Sequence, residues 1–210
     1  VVLLNGSETD NNAFLFRDGY AAVAEARAEA GDWNIVDDQF VPDWDAENAQ
    51  TIMEQILVGA SNEVDAVFAA NDNIANAVIN AVENAGLDAA NVPLSGQDAS
   101  VVAMQNILLG KQSMSVYKPI EPLAGVAVAA ALILRDGGDL GTVEGDFETI
   151  AISTETGFPT DEAVGPGVVL YLALNPTAVT ADNMADTVIA DGFRTWDEIC
   201  TGDVEAVCPE

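Results

Sequence analysis

The feature that most constrains this chain is a rhythm. From Val1 to Lys118, short apolar runs alternate with longer stretches of helical spacing, and each apolar run ends in a polar corner. Strands alternating with helices through short loops predict an α/β fold, a Rossmann-like doubly wound parallel sheet. The strands are expected at residues 1–4, 33–36, 66–70, 92–96 and 114–117, and the helices between them at 13–30, 46–59, 74–82 and 101–109. In the first helix, Leu15, Phe16, Gly19, Val23 and Ala26 supply the expected apolar stripe. Gly31, Gly86 and Gly110 stand where helices stop.

Past Lys118 the rhythm fades. Residues 122–135 read as one more helix, ended by Gly137 and Gly138. The stretch 139–167, rich in Gly, Asp, Glu and Thr, reads as loops around a strand at 148–153. A further strand is expected at 168–174 and a short helix at 181–189, before a polar tail.

Charge narrows the partners. There are 35 acidic residues against 6 basic ones, a formal net charge of −29, and no histidine. Phosphate binding needs clustered Lys and Arg, so nucleic acid is excluded as a partner, and anionic membranes are disfavoured. A solvated acidic surface, as in a salt-tolerant organism, is the plain reading; an acidic functional patch is the alternative. No apolar run has the length of a membrane span. The opening Val1-Val2-Leu3-Leu4, without Met or a basic leader, reads as a mature product or a fragment.

Enzyme signatures are thin. Without histidine there is no His-based triad, HExxH site or His general base, and neither Gly-rich phosphate-loop pattern occurs, so no cofactor and no metal are expected. Cys200 and Cys208 lie too far apart, with too few companions, for a zinc site. A local disulfide is preferred over free thiols and points to an oxidising compartment outside the cytoplasm.

In an open parallel sheet, ligands bind beyond the carboxyl ends of the strands. The residues expected there are Asp10 with Asn11 and Asn12, Trp44, Asn71 with Asp72, Asp98, and Lys118. Carboxylates and amides can bond vicinal hydroxyls, lysine can donate to oxygen, and tryptophan offers a flat apolar face. That set suits a neutral polyhydroxylated ring. Singly, Asp10, Asn12, Asn71 and Asp98 also read as helix caps, Trp44 as packing and Lys118 as a surface charge.

Five spaced motifs carry a resemblance. They are Thr9-Asp10-Asn11-Asn12-Ala13, Trp44 with Glu47-Asn48-Ala49, Ala70-Asn71-Asp72, Ser95-Gly96-Gln97-Asp98-Ala99 and Val116-Tyr117-Lys118-Pro119. In this order they resemble the xylose-binding branch of the type I periplasmic sugar-binding proteins, the solute receptors of ABC transporters. The likeness returns at residues 186–193. It implies a non-enzymatic extracytoplasmic receptor, in the periplasm or as a cell-surface lipoprotein. Such a receptor closes two lobes over a xylose-like aldopentose or glucose-like aldohexose and passes it to a membrane permease. It further implies that Asp10 and Asn12 bond sugar hydroxyls, Trp44 stacks on the ring, and Asn71, Asp98 and Lys118 complete the clamp.

In the family, a whole N-terminal lobe precedes the strand that here begins at Val1. Residues 1–118 and 173–210 are therefore expected to form the C-terminal lobe, and 119–172 to pack on the missing one. Residues 155–168 depart from the family pattern. The ligand-sensing domain of a LacI-type transcription regulator shares the fold and is the second reading; a sugar-modifying enzyme is the third.

Overall fold

The structure, a computed structural model, describes residues 1–143, 147–153, 160 and 165–209. Most of the 155–168 segment that departs from the family pattern lies outside the described residues. The chain divides into two compact units, Val1–Tyr117 with Ala178–Glu210, and Lys118–Thr177. The sequence places these divisions at 118/119 and 172/173.

In the first unit, β1 (Val2–Asn5) is followed by α1 (Asn11–Glu29), β2 (Asp37–Phe40), α2 (Ala46–Gly59), β3 (Val67–Ala69), α3 (Asp72–Asn84), α4 (Val101–Leu108) and β4 (Ser115–Tyr117). β1 is buried throughout and pairs in parallel with β2 on one side and β3 on the other. Side chains alternate across a strand, so the sheet has two apolar faces. Val2 and Leu4 join a core built with α2 and α3, while Leu3 packs on the other face with Ala21, Ala24, Tyr20 and Phe68.

The expected fourth strand is a seam instead of a regular strand. It is held by isolated parallel bridges, Val67 to Leu94 and Gln97 to Val116. Its side chains take over part of the ladder. Ser95 Oγ accepts from Ala69 N at 3.0 Å and donates to the Ala69 carbonyl at 3.1 Å. On the other side, Ser113 Oγ accepts from Leu94 N at 3.1 Å. Hydroxyls thus satisfy backbone groups that a buried seam could not leave unpaired.

Two further expectations are corrected. The second strand is the polar Asp37–Phe40 and not 33–36. It runs along the edge of the three-stranded sheet, where a half-exposed strand needs no apolar run. The buried stripe of α1 is Ala13, Ala21 and Ala24, whereas Gly19, Val23 and Ala26 are exposed. Small side chains let that helix lie close to the sheet.

The second unit contains α5 (Ile120–Arg135), a 3₁₀ turn (Leu140–Thr142), and β5 (Phe147–Ser153) paired antiparallel with β6 (Val168–Leu174). No residue of α5 is buried; Ile120, Leu123, Val128, Leu132 and Leu134 are exposed. Among the described residues, no helix is long and apolar enough to cross a membrane.

β7 (Thr177–Val179), not expected from the sequence, pairs with β4. The expected helix at 181–189 is a π-type segment, Ala185–Ile189, and a capped α6 (Trp196–Ile199) follows. Val179, Met184, Val188 and Ile199 pack with α4 in a further apolar cluster. Cys200 and Cys208 are disulfide-bonded, closing the tail as expected.

Candidate functional site

The carboxyl edge of the sheet is a succession of corners joined by hydrogen bonds. In the first, Asp10 caps α1: its Oδ1 accepts from Asn12 N at 2.9 Å, and Asn12 is exposed. Ser7 Oγ, in the same loop, accepts from Asp43 N at 3.2 Å and so ties the first corner to the second.

The second corner is Pro42–Trp44. Asp43 (φ 58°) and Trp44 (φ 57°) both occupy left-handed backbone, which is costly for side chains of this kind. Its effect is to seat the indole on Gly6. A Cβ at Gly6 would stand 2.0 Å from Trp44 Cη2, so glycine is needed there for close approach. Asn73 Nδ2 donates to the Trp44 carbonyl at 3.2 Å and carries the succession to the third corner. There Asn71 caps α3, its Oδ1 accepting from Ile74 N at 2.9 Å.

Asp72 N donates to the Gln97 carbonyl at 2.9 Å, leading to the fourth corner. Asp98 (φ 97°) and Ala99 (φ 47°) form a second left-handed pair. Asp98 is exposed and is not the cap of α4; Ser100 is, accepting from Ala103 N at 3.1 Å. Asp98 N donates to the Val116 carbonyl of β4 at 2.9 Å. Lys118 comes directly after β4 in the chain and is the first residue of the second unit. The first unit thus brings Asp10, Asn12, Trp44, Asn71 and Asp98 to one edge, and Lys118 follows β4 directly in the chain.

A buried network behind the first two corners was not foreseen. Asn5 is fully buried; its Nδ2 donates to Asp38 Oδ1 at 2.7 Å, and Tyr20 donates to its Oδ1 at 2.5 Å. Arg17 Nε donates to Asp38 Oδ2 at 3.0 Å, and Arg17 Nη2 pairs with the same oxygen. Burial pushes the Tyr20 hydroxyl well above its ordinary pKa, so it stays a donor. No local pattern marks Asn5; it is the last residue of an apolar strand, and its partners come from β2, through the parallel pairing, and from Tyr20 of α1.

Chemically, the edge offers carboxylates, amides and one aromatic face. That combination recognises neutral hydroxyls and repels anions. Among the described residues, no group of three or more His, Cys, Asp or Glu could hold a metal ion. A depression of about 620 Å³, lined by Val1, Trp33, Phe68, Pro93 and Ser113, lies at the opposite, amino-terminal edge and contains none of the candidate residues.

Residues 1–139 match the family model of a periplasmic binding protein domain. The chain is 40% identical over 197 residues to the D-xylose-binding periplasmic protein of Haemophilus influenzae, covering 94% of this chain and 54% of that protein. Its likeness to the D-xylose-binding periplasmic protein of Escherichia coli is 37% over 199 residues, with the same coverage. The chain thus spans about half the length of the curated relatives it matches. Among solved structures, it is similar to an ABC transporter solute-binding protein from Clostridium phytofermentans with bound β-D-glucose. The TM-score there is 0.75 at 25% identity, covering 94% of this chain and 60% of that one.

Proposed function

Since the chain belongs to the periplasmic binding protein family, we propose that it forms one lobe of an extracytoplasmic receptor for a monosaccharide. The receptor captures a xylose-like aldopentose or glucose-like aldohexose and delivers it, chemically unchanged, to an ABC transporter permease. The observation that carries this reading is the hydrogen-bonded succession of corners along the carboxyl edge of the sheet, with Trp44 seated on Gly6 and Asp98 held in left-handed backbone.

Trp44 stacks on the ring, Asp10 and Asn12 bond hydroxyls, and Asn71, Asp98 and Lys118 complete the clamp from this side. Capping and binding are compatible, since Asp10 and Asn71 each use one oxygen for a helix end. The second carboxylate oxygen of Asp10 and the Asn71 Nδ2 meet the sugar. A second lobe, on the same or a separate polypeptide, covers the other face of the ring and packs on the apolar surface of α5. The names of the xylose-binding relatives support the sugar class, and the disulfide suits an oxidising compartment.

The test is a thermal-melt screen of the intact receptor against monosaccharides. A sugar at a hundred times its Kd stabilises the fold by about 2.7 kcal/mol. A raised melting temperature with xylose or glucose, and the sugar recovered intact, is expected. No shift with any aldose, or turnover of the sugar, overturns the reading.

A further inference from the structure

Asp72 is only 5% exposed, and among the described residues its partners are neutral donors. Oδ1 accepts from Ser115 Oγ at 2.7 Å and from Gln112 Nε2 at 3.1 Å, while Oδ2 accepts from Ser100 N at 2.8 Å. Ser115 Oγ in turn accepts from Ala99 N at 3.0 Å. Together with the bond from Asp72 N to the Gln97 carbonyl, these contacts grip the left-handed Asp98–Ala99 pair on both sides. Two consecutive non-glycine residues in that region persist only where the surroundings over-determine them.

A second observation points the same way. A Cβ at Gly96 would lie 2.3 Å from Asp72 Oδ1 and 2.4 Å from Gln112 Nε2, so the glycine leaves room for this carboxylate. Burial pushes the Asp72 carboxyl up, and the bonds from Ser100, Ser115 and Gln112 pull it back. An uncharged isostere does not fit. Asn at 72 would present an NH₂ to one of the donors that now meet the carboxylate.

We infer that Asp72 is a positioning residue for the ligand site: its buried carboxylate fixes the Asp98 corner against the Asn71 corner and the strand that leads to Lys118. This rests on the reading of Asn71 and Asp98 as sugar-binding groups. Asp72 itself touches no ligand in this arrangement. It acts through backbone and Ser115 contacts on its neighbours.

The test uses the intact receptor, sugar calorimetry, and amide hydrogen exchange, at a temperature where circular dichroism shows each variant folded. Asp72→Asn is expected to weaken sugar binding tenfold or more and to speed exchange locally at Ala99 and Ser100. Gly96→Ala should move both readings the same way, and the exposed control Glu29→Gln neither. If Asp72→Asn does not fold, Ser115→Ala, which removes one donor and the Ala99 acceptor, decides by the same two readings. Wild-type affinity in the folded Asp72 or Ser115 variant, with affinity lost in Asp98→Ala, overturns the inference and leaves the sugar site standing. Wild-type affinity in Asp98→Ala sinks the site reading and this inference with it.

Discussion

Replacing Gly6 by alanine drives a methyl group into the Trp44 indole. The new carbon would lie 2.0, 2.1 and 2.5 Å from Cη2, Cζ2 and Cζ3. Carbon contacts settle at about 3.5–4.0 Å, so the ring must retreat by roughly 1.5 Å. Its backbone is poorly placed to follow. The Trp44 carbonyl is held by Asn73, and Asp45 N donates to the Pro42 carbonyl at 3.1 Å. Overpacking of this kind costs about 1–3 kcal/mol, or roughly 2–4 °C of melting temperature per kcal/mol for a chain of this size. A ring displaced from the sugar should also weaken binding about tenfold, or ~1.4 kcal/mol. The assay is a double-mutant cycle in the intact receptor, read by thermal melts and sugar calorimetry. In wild type, Gly6→Ala should carry the full cost. In a Trp44→Ala background the obstacle is gone, and the same change should be neutral within ~0.5 kcal/mol. Equal cost in both backgrounds would show that the indole does not sit on Gly6.

Other perturbations probe the rest of the unit. Reducing Cys200–Cys208, which closes a sequence separation of 8, should cost about 2–3 kcal/mol in a reversible melt; an unchanged melt would mean that the tail is fixed by the buried Ile199 and Val204 alone. Ser95→Ala removes the hydroxyl that serves both backbone groups of Ala69 and should cost about 1–3 kcal/mol, with faster hydrogen exchange at Ala69; unchanged exchange would refute the seam. With a net charge of −29, stability should rise with salt as self-repulsion is screened, and a denaturation midpoint indifferent to salt would refute that reading of the acidity.

The α/β rhythm was legible because strand burial and helix spacing are local patterns. What misled was residue chemistry decided by neighbours. Trp33-Asn34-Ile35-Val36 looks more like a strand than Asp37–Phe40, yet β1 pairs with the latter, and Asp38 is matched by Asn5 and Arg17. In α1 the larger apolar residues carry the helical spacing, while alanines are the residues buried against the sheet. The seam at Ser95 reads as an apolar strand because a serine that replaces ladder bonds has no sequence signature.

The candidate site shows the same division. Strand ends can be located from the sequence, so the corners bearing Asp10, Asn71 and Asp98 are legible there, and two of these residues, Asp10 and Asn71, are also the caps that the local pattern implies. That Ser100 and not Asp98 caps α4 was not legible. The left-handed pairs at Asp43–Trp44 and Asp98–Ala99 were not legible either. Such conformations are imposed on non-glycine residues by tertiary bonds, here from Asn73 Nδ2 to the Trp44 carbonyl and from Ala99 N to Ser115 Oγ.

In the proposed receptor, a neutral sugar is held at the carboxyl edge by Trp44 and Asp98. Calorimetric titration of the intact receptor with xylose and glucose, in wild type and in Trp44→Ala and Asp98→Ala, tests it most directly. Saturable one-to-one binding that weakens more than tenfold in each variant, or by more than ~1.4 kcal/mol, is the expected result. Binding that is equally tight in all three proteins would contradict it.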